Sequence, residues 1–522
     1  MSDGREQWGT RLGFLLAAVG SAIGLGNIWR FPYIAWENGG GAFFVPYLFA
    51  LFTAGIPLLV LEYSLGHRFR GSAPLSLRRL HRRAEWIGWW QVVVCFVIAS
   101  YYAVVIAWAA GYAWFSLGTR WGEDPEAFFF DDYLGVTAAG TFGGFRLGVL
   151  LPLVVVWGVT LTVLISGVRK GIERANRILI PLLVGMFLVI VLRAVTLEGA
   201  ALGLDSLFRP DWSSIGDASV WVAAYGQIFF SLSIGFAIMI TYASYLPRSG
   251  DLTGNAFIAG FSNASFELLA GIGVFAAIGF LATSAQVGVD EVARDGIGLA
   301  FVVFPEIISQ LPGPSGVYGF LFFGSLVLAG TSSLISVSQT YVAAIEDKFS
   351  LSRRSAAVIA GGGTALVSLT YATGGGINTL DVVDRFINSF GVAAVALVEV
   401  VVVAWLVREL PALRSHANAV SDLRLGWWWM ASLAVITPAV LGWMTLDNLR
   451  TELSAPYGGY AWTFLLVFGW GVALLALVVG IALSFRRWPA TVPLGSVPVA
   501  SGDPGRGAAT ADGDDGEERS AQ

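Results

Sequence analysis

Apolar positions in this chain fall into long runs, and charged positions gather between them. Twelve runs stand out, at roughly 11–36, 41–66, 88–117, 149–167, 175–196, 219–246, 254–284, 315–346, 354–372, 380–407, 425–446 and 460–485. Crossing hydrocarbon as a helix takes roughly 20 apolar residues, so the pattern predicts an all-α membrane protein with twelve transmembrane helices. The ninth run is the weakest, because its end is rich in glycine. Two runs are interrupted. In the first, Gly20-Ser21-Ala22-Ile23-Gly24-Leu25-Gly26-Asn27 contains three glycines, each costing a helix roughly 1 kcal/mol. In the sixth, Gln227-Ile228-Phe229-Phe230-Ser231-Leu232-Ser233-Ile234-Gly235-Phe236 breaks an apolar stretch with polar and small residues. A broken helix survives in hydrocarbon only where protein or water satisfies the freed backbone groups. Helices 1 and 6 are therefore predicted to unwind at mid-membrane. Bare carbonyls there can hold a cation, and the N-terminus of the second half can face an anion. The Gly20-to-Gly24 spacing also fits a close helix-packing face. A dinucleotide loop would need a preceding strand, which is absent.

The interrupted runs stand five spans apart. An odd repeat length turns the second copy over in the membrane, which predicts a 5+5 inverted repeat over about 8–200 and 215–407. Two extra helices follow, at about 425–446 and 460–485. Basic residues mark the loops on one side: Arg68 to Arg83 after run two, Arg169, Lys170 and Arg174 after run four, Lys348, Arg353 and Arg354 after run eight. Arg408, Arg414 and Arg424 follow run ten, and Arg486 and Arg487 follow run twelve, whereas the loop after run three is acidic. Cytoplasmic loops carry the excess of Lys and Arg, so both termini are predicted in the cytoplasm. The loop at about 285–314, with Pro305, Pro312 and Pro314, reads as an extracellular cap that dips towards a pathway. Residues 1–487 are thus one transporter-like membrane domain, and 488–522 read as a disordered acidic cytoplasmic tail.

Composition agrees. Of 522 residues, 56% are hydrophobic and 13% charged, with a mean hydropathy of +0.70. The net charge of -5 is spread over loops and tail and implies no nucleic-acid partner. Cys95 is the single cysteine, so no intrachain disulfide forms. Met1 to Gln7 carry no signal-peptide pattern. His67, His81 and His416 lie in predicted cytoplasmic loops, away from the broken runs. With no His/Cys ligand cluster and no nucleophile–base set, a membrane enzyme is disfavoured and no catalytic residue is assigned.

Several stretches carry a resemblance. Trp8-Gly9-Thr10-Arg11-Leu12-Gly13, Gly20 to Asn27, Trp29-Arg30-Phe31-Pro32, Glu37 to Phe43, Pro46-Tyr47, Lys170-Gly171-Ile172-Glu173 and the Gln227 to Phe236 run resemble the neurotransmitter:sodium symporter family, in its prokaryotic amino-acid transporter branch. That resemblance implies the leucine-transporter (LeuT) fold, a plasma-membrane location and a prokaryotic source. It covers spans one to ten; the last two spans match in hydropathy only.

The resemblance implies two sodium sites beside an amino acid. The first would use the Ala22 carbonyl, the side-chain oxygens of Asn27 and Asn263, Ser231 and the substrate carboxylate. Ion and zwitterion are each costly to bury alone, which couples them. The second would use the Gly20 and Ile23 carbonyls with Ala329-Gly330-Thr331-Ser332-Ser333. A gap-free register gives Ala329, Ser332 and Ser333; a one-residue slip gives Thr331 and Ser332. Such hydroxyls also commonly bond back to their own helix. Tyr102 and the Leu25 and Gly26 amides would take the substrate carboxylate, with Phe230 as a lid. Ile98, Ser233, Phe236, Ser333 and Val337 would shape the cavity. Gly24, where amine-transporting members carry an acidic residue, leaves room for a substrate that brings its own carboxylate. The expected cargo is a neutral, hydrophobic α-amino acid. Glu267 stands where chloride-dependent members have serine and bind the anion with Tyr47- and Gln227-type residues. A carboxylate there implies chloride independence, and its cost when buried and ionised makes Glu267 a group that takes up a proton when sodium leaves.

Arg30 and Asp384 would form an outer gate, through water. Arg5 and Asp347 would form the cytoplasmic one, with Trp8 nearby. Glu62 and Glu399, inside spans two and ten, are functional suspects as membrane-embedded carboxylates, and read more simply as structural caps for exposed half-helix N-termini. The expected activity is Na⁺-coupled amino-acid import by alternating access. The rival is an amino-acid-binding membrane sensor that does not translocate. The partners are an amino acid, sodium and the lipid bilayer; oligomeric state stays open.

Overall fold

The computed structural model describes residues 5–294, 296–490 and 492–494. The proposed tail lies outside them from 495 onward, as do residues 1–4. Among the described residues all regular structure is helical, with two isolated bridges, Gly40 to Pro210 and Phe145 to Thr373.

Helices α1 (Arg11–Ala22) and α2 (Leu25–Glu37) form a bent pair, 55° apart. Thr10 caps α1 by accepting the Gly13 N–H at 3.0 Å, a contact worth about 1 kcal/mol. Glu173 clamps the same end, accepting from Gly9 N–H at 2.7 Å and Thr10 Oγ1 at 3.0 Å. Then come α3 (Gly41–Phe69), α4 (Glu85–Ser116), α5 (Leu147–Ile165) and α6 (Val168–Ala194). The sixth apolar run is two helices, α7 (Ala218–Ser231) and α8 (Ile238–Ala243). Beyond them lie α9 (Thr253–Ala285), α10 (Gly296–Gln310), α11 (Ser315–Phe349), α12 (353–371), α13 (Gly376–Leu406), α14 (Trp427–Gly459) and α15 (Trp462–Ser484).

Every one of the twelve apolar runs is thus a helix or an interrupted helix. Among the described residues nine helices are long and apolar enough to cross a membrane, or ten if α1 and α2 count as one. The α7–α8 pair and α12 are not among them. The glycine-rich end of run nine is nevertheless helical through Tyr371.

Three expectations need correction. The interruption of run six starts later than Gln227. Residues Gln227 to Ser231 stay helical, because their side chains bond across to α9 instead of competing for their own backbone; the chain leaves the helix at Leu232. His67 is not in a loop but in the last turn of α3, where its Nε2 meets the Pro247 carbonyl at 2.9 Å. Glu399 caps no helix end: it accepts from Gln91 Nε2.

The core is built from α1, α3, α4, α8 and α11, whose facing side chains are almost wholly buried. By contrast α5, α6, α14 and α15 expose rows of Leu and Val, as helices facing lipid do. The 285–314 segment does dip inward: α10 buries Leu299, Phe301 and Phe304, with Phe301 packed 6.1 Å from Trp108 and 5.1 Å from Tyr112.

Candidate functional site

Both interruptions lie side by side at the centre of the bundle. In the first, only Ile23 and Gly24 leave the helical conformation. Gly24 precedes α2, and its N–H donates to Asn27 Oδ1 at 2.8 Å. That bond closes the start of the second half-helix with its own side chain. In the second, residues 232–237 join α7 to α8, and Ser233, Gly235 and Ala237 all adopt left-handed backbone. For Ser and Ala such a conformation costs roughly 1–3 kcal/mol each, so surrounding bonds must enforce it. Ser233 Oγ donates to the Ser21 carbonyl at 2.9 Å, tying one break to the other. Gly235 N–H donates to Glu62 Oε1 at 2.8 Å, and Cys95 Sγ donates to the Phe236 carbonyl at 2.8 Å. Glu62 therefore does cap exposed backbone, as its sequence position suggested.

Beside the first break sits a chain of polar side chains. Asn27 Nδ2 donates to Asn263 Oδ1 at 2.8 Å and to Glu267 Oε1 at 3.3 Å. Asn263 Nδ2 donates to Ser231 Oγ at 3.1 Å. Gln227 Nε2 donates to Glu267 Oε1 at 2.6 Å, and Tyr47 Oη donates to Glu267 Oε2. Helical spacing explains the register: Asn263 and Glu267 are one turn apart on α9, as are Gln227 and Ser231 on α7. All are buried. A buried carboxylate is tolerated only with partners, and Glu267 has three donors. The family resemblance grouped Asn27, Ser231 and Asn263 separately from Tyr47, Gln227 and Glu267; in space they are one network, with Ala22 closing α1 just before it.

A second polar contact joins α1 to α11. Ser332 Oγ donates to the Gly20 carbonyl at 2.8 Å. Ser333 Oγ lies 3.4 Å from the Gly20 carbonyl and 3.3 Å from that of Ile23. These are the hydroxyls of the gap-free register; Ala329 lies on the same helix, one turn before Ser333. Gly20 is what permits the approach, since a Cβ there would lie 2.4 Å from Ser332 Oγ and 2.6 Å from Asn176 Oδ1. Asn176 itself was missed. It is buried, and its Oδ1 lies 2.5 Å from Ser332 Oγ, sharing the one hydroxyl proton with the Gly20 carbonyl. Its only signal was an amide at the head of an apolar run.

Around Gly24 to Gly26 the remaining residues close in. Tyr102 Oη accepts from Leu25 N–H at 3.3 Å. A Cβ on Gly24 would sit 3.1 Å from that oxygen and 3.3 Å from Ser333 Oγ. A Cβ on Gly26 would sit 2.5 Å from the Phe230 ring. Ile98, Phe236 and Val337 are buried, on the same helices as Tyr102, the second break and Ser333.

Both ends of the bundle carry the expected charged residues. Arg5 Nη1 meets both Asp347 oxygens at 3.0 and 3.1 Å, and Arg5 Nε donates to Ser244 Oγ at 3.1 Å. Asp347 also accepts from Ser72 N–H at 2.8 Å, and Trp8 Nε1 donates to the Tyr242 carbonyl at 2.9 Å. At the other end the Arg30 guanidinium lies 4.7 Å over the Phe230 ring. Asp384 accepts from Tyr101 Oη at 2.6 Å and Asn388 Nδ2 at 2.9 Å. Tyr101 and Asn388 were not foreseen; each is a polar group in an apolar run beside a residue that was.

Known proteins are similar to this chain. A model of the sodium:neurotransmitter symporter family matches residues 5–134 and 122–490. An uncharacterized sodium-dependent transporter of Methanocaldococcus jannaschii is 42% identical over 480 residues, spanning 92% of this chain and 97% of its own length. The crystal structure of MhsT in complex with L-phenylalanine superimposes with a TM-score of 0.72 at 33% identity, over 85% of this chain and 100% of MhsT.

Proposed function

Since this chain belongs to the sodium:neurotransmitter symporter family, and is thus a LeuT-fold sodium-dependent transporter and not an enzyme, we propose that it imports a neutral, hydrophobic α-amino acid. The observation that carries this is the buried network at the α1–α2 break. Oxygens of Asn27, Asn263 and Ser231 gather there, and two residues before Asn27 the Leu25 amide meets the Tyr102 hydroxyl. Neutral oxygens suit a hard alkali cation, and an amide at a helix start with a phenol suits a carboxylate. MhsT, with its L-phenylalanine, supports the choice of cargo.

In this reading one sodium ion binds the Ala22 carbonyl, Asn27, Ser231, Asn263 and the substrate carboxylate. A second binds the carbonyls of Gly20, Ile23 and Ala329 with Ser332 and Ser333. Tyr102 and the Leu25 and Gly26 amides hold the carboxylate. Phe230 lids the pocket that Gly24, Ile98, Ser233, Phe236 and Val337 shape. Glu267, held by Tyr47 and Gln227, supplies the negative charge that chloride provides elsewhere, so transport is chloride-independent. Twelve crossings, two inverted repeats over about 8–200 and 215–407, breaks at mid-membrane and cytoplasmic termini complete the architecture. The outer pair, Arg30 and Asp384, closes over Phe230; the bundle tilts; Arg5 and Asp347 part, with Trp8 moving beside them. Two sodium ions carried with a zwitterion gain roughly 4.6 kcal/mol per 100 mV of membrane potential.

Uptake into proteoliposomes tests the reading. Radiolabelled hydrophobic amino acids are expected to accumulate when sodium is outside and not when the gradient is absent. Sodium-dependent binding with no accumulation would instead describe a sensor.

A further inference from the structure

At the end of the bundle where the arginine-rich loops meet, an open cavity of about 710 Å³ is lined by Arg78, Arg82, Arg83, Arg486, Arg487 and Glu85. The fold brings these together through one close contact. Gly480 of α15 packs on the start of α4, where a Cβ would lie 2.8 Å from Trp90 N and Cα. Residues 481–488 are thereby laid against residues 82–86. The chain beyond α15 is held there too: Arg79 donates to the Pro493 carbonyl at 2.9 and 3.0 Å, and Lys348 Nζ lies 4.3 Å over the Trp488 ring.

The charge in the cavity is one-sided. Among the described residues its single carboxylate, Glu85, is occupied by Lys348 Nζ at 2.5 Å, with Arg78 Nε at 3.8 Å. The side chains of Arg82, Arg83, Arg486 and Arg487 are exposed around it. Guanidinium groups this close repel one another unless an anion lies between them, and their planar forks match the paired oxygens of a phosphate.

The cavity is also continuous with an apolar stripe. Leu474, Val478 and Ile481 are exposed on one face of α15 and Phe485, the residue that ends it, continues that face, at spacings of four, three and four residues. That stripe runs down the helix and ends in the cavity wall, which Ile481 and Phe485 help to line. Trp86 and Trp488, amphipathic rings of the kind that favour the membrane interface, flank the arginines. Trp488 Nε1 is buried with no hydrogen-bond partner among the described residues.

We propose that this cavity binds an anionic phospholipid, with the headgroup phosphate among Arg83, Arg486 and Arg487 and an acyl chain along the α15 stripe. Basic pockets of membrane proteins at the interface attract anionic headgroups in this manner. An acidic peptide would satisfy the arginines and leave the stripe without a purpose, so the lipid accounts for more of the surface. The site requires only that the chain sit in a bilayer; it is independent of which cargo is carried.

The test is native mass spectrometry of the detergent-purified full chain, titrated with dioleoyl phosphatidylglycerol, dioleoyl phosphatidylcholine or inorganic phosphate. Phosphatidylglycerol is expected to bind about tenfold or more tighter than phosphatidylcholine. The R83Q/R486Q/R487Q variant is expected to lose that preference, while R83K/R486K/R487K keeps most of it. R408Q/R414Q/R424Q, with the same charge removed elsewhere, should bind as the unaltered chain does. A melting scan without lipid checks that each variant is folded. Equal binding of the two lipids overturns the proposal, as does equal loss in the 408/414/424 variant. Displacement of phosphatidylglycerol by inorganic phosphate at matched concentration would make this a free-anion site. A chain ending at Leu494 that binds phosphatidylglycerol about tenfold tighter than the full chain would make residues 495–522 the occupant instead.

Discussion

The Ser332 hydroxyl donates to the Gly20 carbonyl at 2.8 Å, across 312 residues of chain. It does so where α1 is about to break, so the carbonyls freed by the break face hydroxyls on α11. A hydrogen bond of this kind contributes about 1 kcal/mol net, but an orphaned buried group costs about 1–3 kcal/mol.

Replacing Ser332 or Ser333 by alanine removes the partner of a bare carbonyl and, in the proposed reading, a hydroxyl ligand of the second sodium ion. Each is expected to raise the sodium concentration for half-maximal uptake about tenfold, the equivalent of about 1.4 kcal/mol. Sodium titration of uptake checks this. Unchanged sodium dependence in both variants would remove the second sodium site from α11.

Glu267 makes a sharper prediction. Uptake should be unchanged when chloride is exchanged for gluconate. Glu267→Ser should lose uptake in gluconate and recover it in chloride, because the three donors now turned to the carboxylate would need another anion. Equal activity of that variant in both salts would show that Glu267 does not play this part.

Gly26 faces the Phe230 ring so closely that a Cβ would lie 2.5 Å from it. Gly26→Ala is expected to displace the ring and weaken substrate binding by about tenfold, while Gly26→Ala with Phe230→Leu recovers part of the loss. Direct binding of the radiolabelled amino acid reads both.

The Arg5–Asp347 pair is only 16% exposed on each side. Its worth lies between that of a surface pair, about 0–1 kcal/mol, and the 3–5 kcal/mol of breaking a buried one. Asp347→Ala should accelerate hydrogen exchange at the Trp8 amide, which the closed end protects by bonding Trp8 N–H to the Tyr245 carbonyl. A double-mutant cycle with Arg5→Ala should show coupling; additive effects would show that the two act separately.

His416 lies between spans, on the helix Leu410–Val420, with its Nε2 2.9 Å from His67 Nδ1. Burial, then the neighbouring His67 and Arg68, pushes His416 down to about 4. The free side chain titrates near 6.5, so between about pH 6.5 and 4 the unfolded chain binds the proton that the folded one refuses. Stability should therefore fall on acidification through that window and be insensitive to His416 above it. His416→Gln should flatten that part of the melting profile; an identical profile would mean His416 titrates freely.

Much was legible in one dimension. Each of the twelve apolar runs announced a helix or an interrupted helix, nine or ten of them among the described residues long and apolar enough to cross a membrane, because burying a helix in hydrocarbon imposes a length and a composition that local sequence displays. Gly20 to Asn27 announced the first break, because glycine weakens a helix wherever it stands. Long-range pairings were not visible in that way. Nothing local separates Ser332 from Thr331, or tells that Asn176 reaches Ser332, that Glu62 rather than Glu399 receives freed backbone, or that the second break begins at Leu232. Those choices follow from which helix faces lie against each other, and a side chain's partner is set by packing across the bundle, not by its neighbours in the chain.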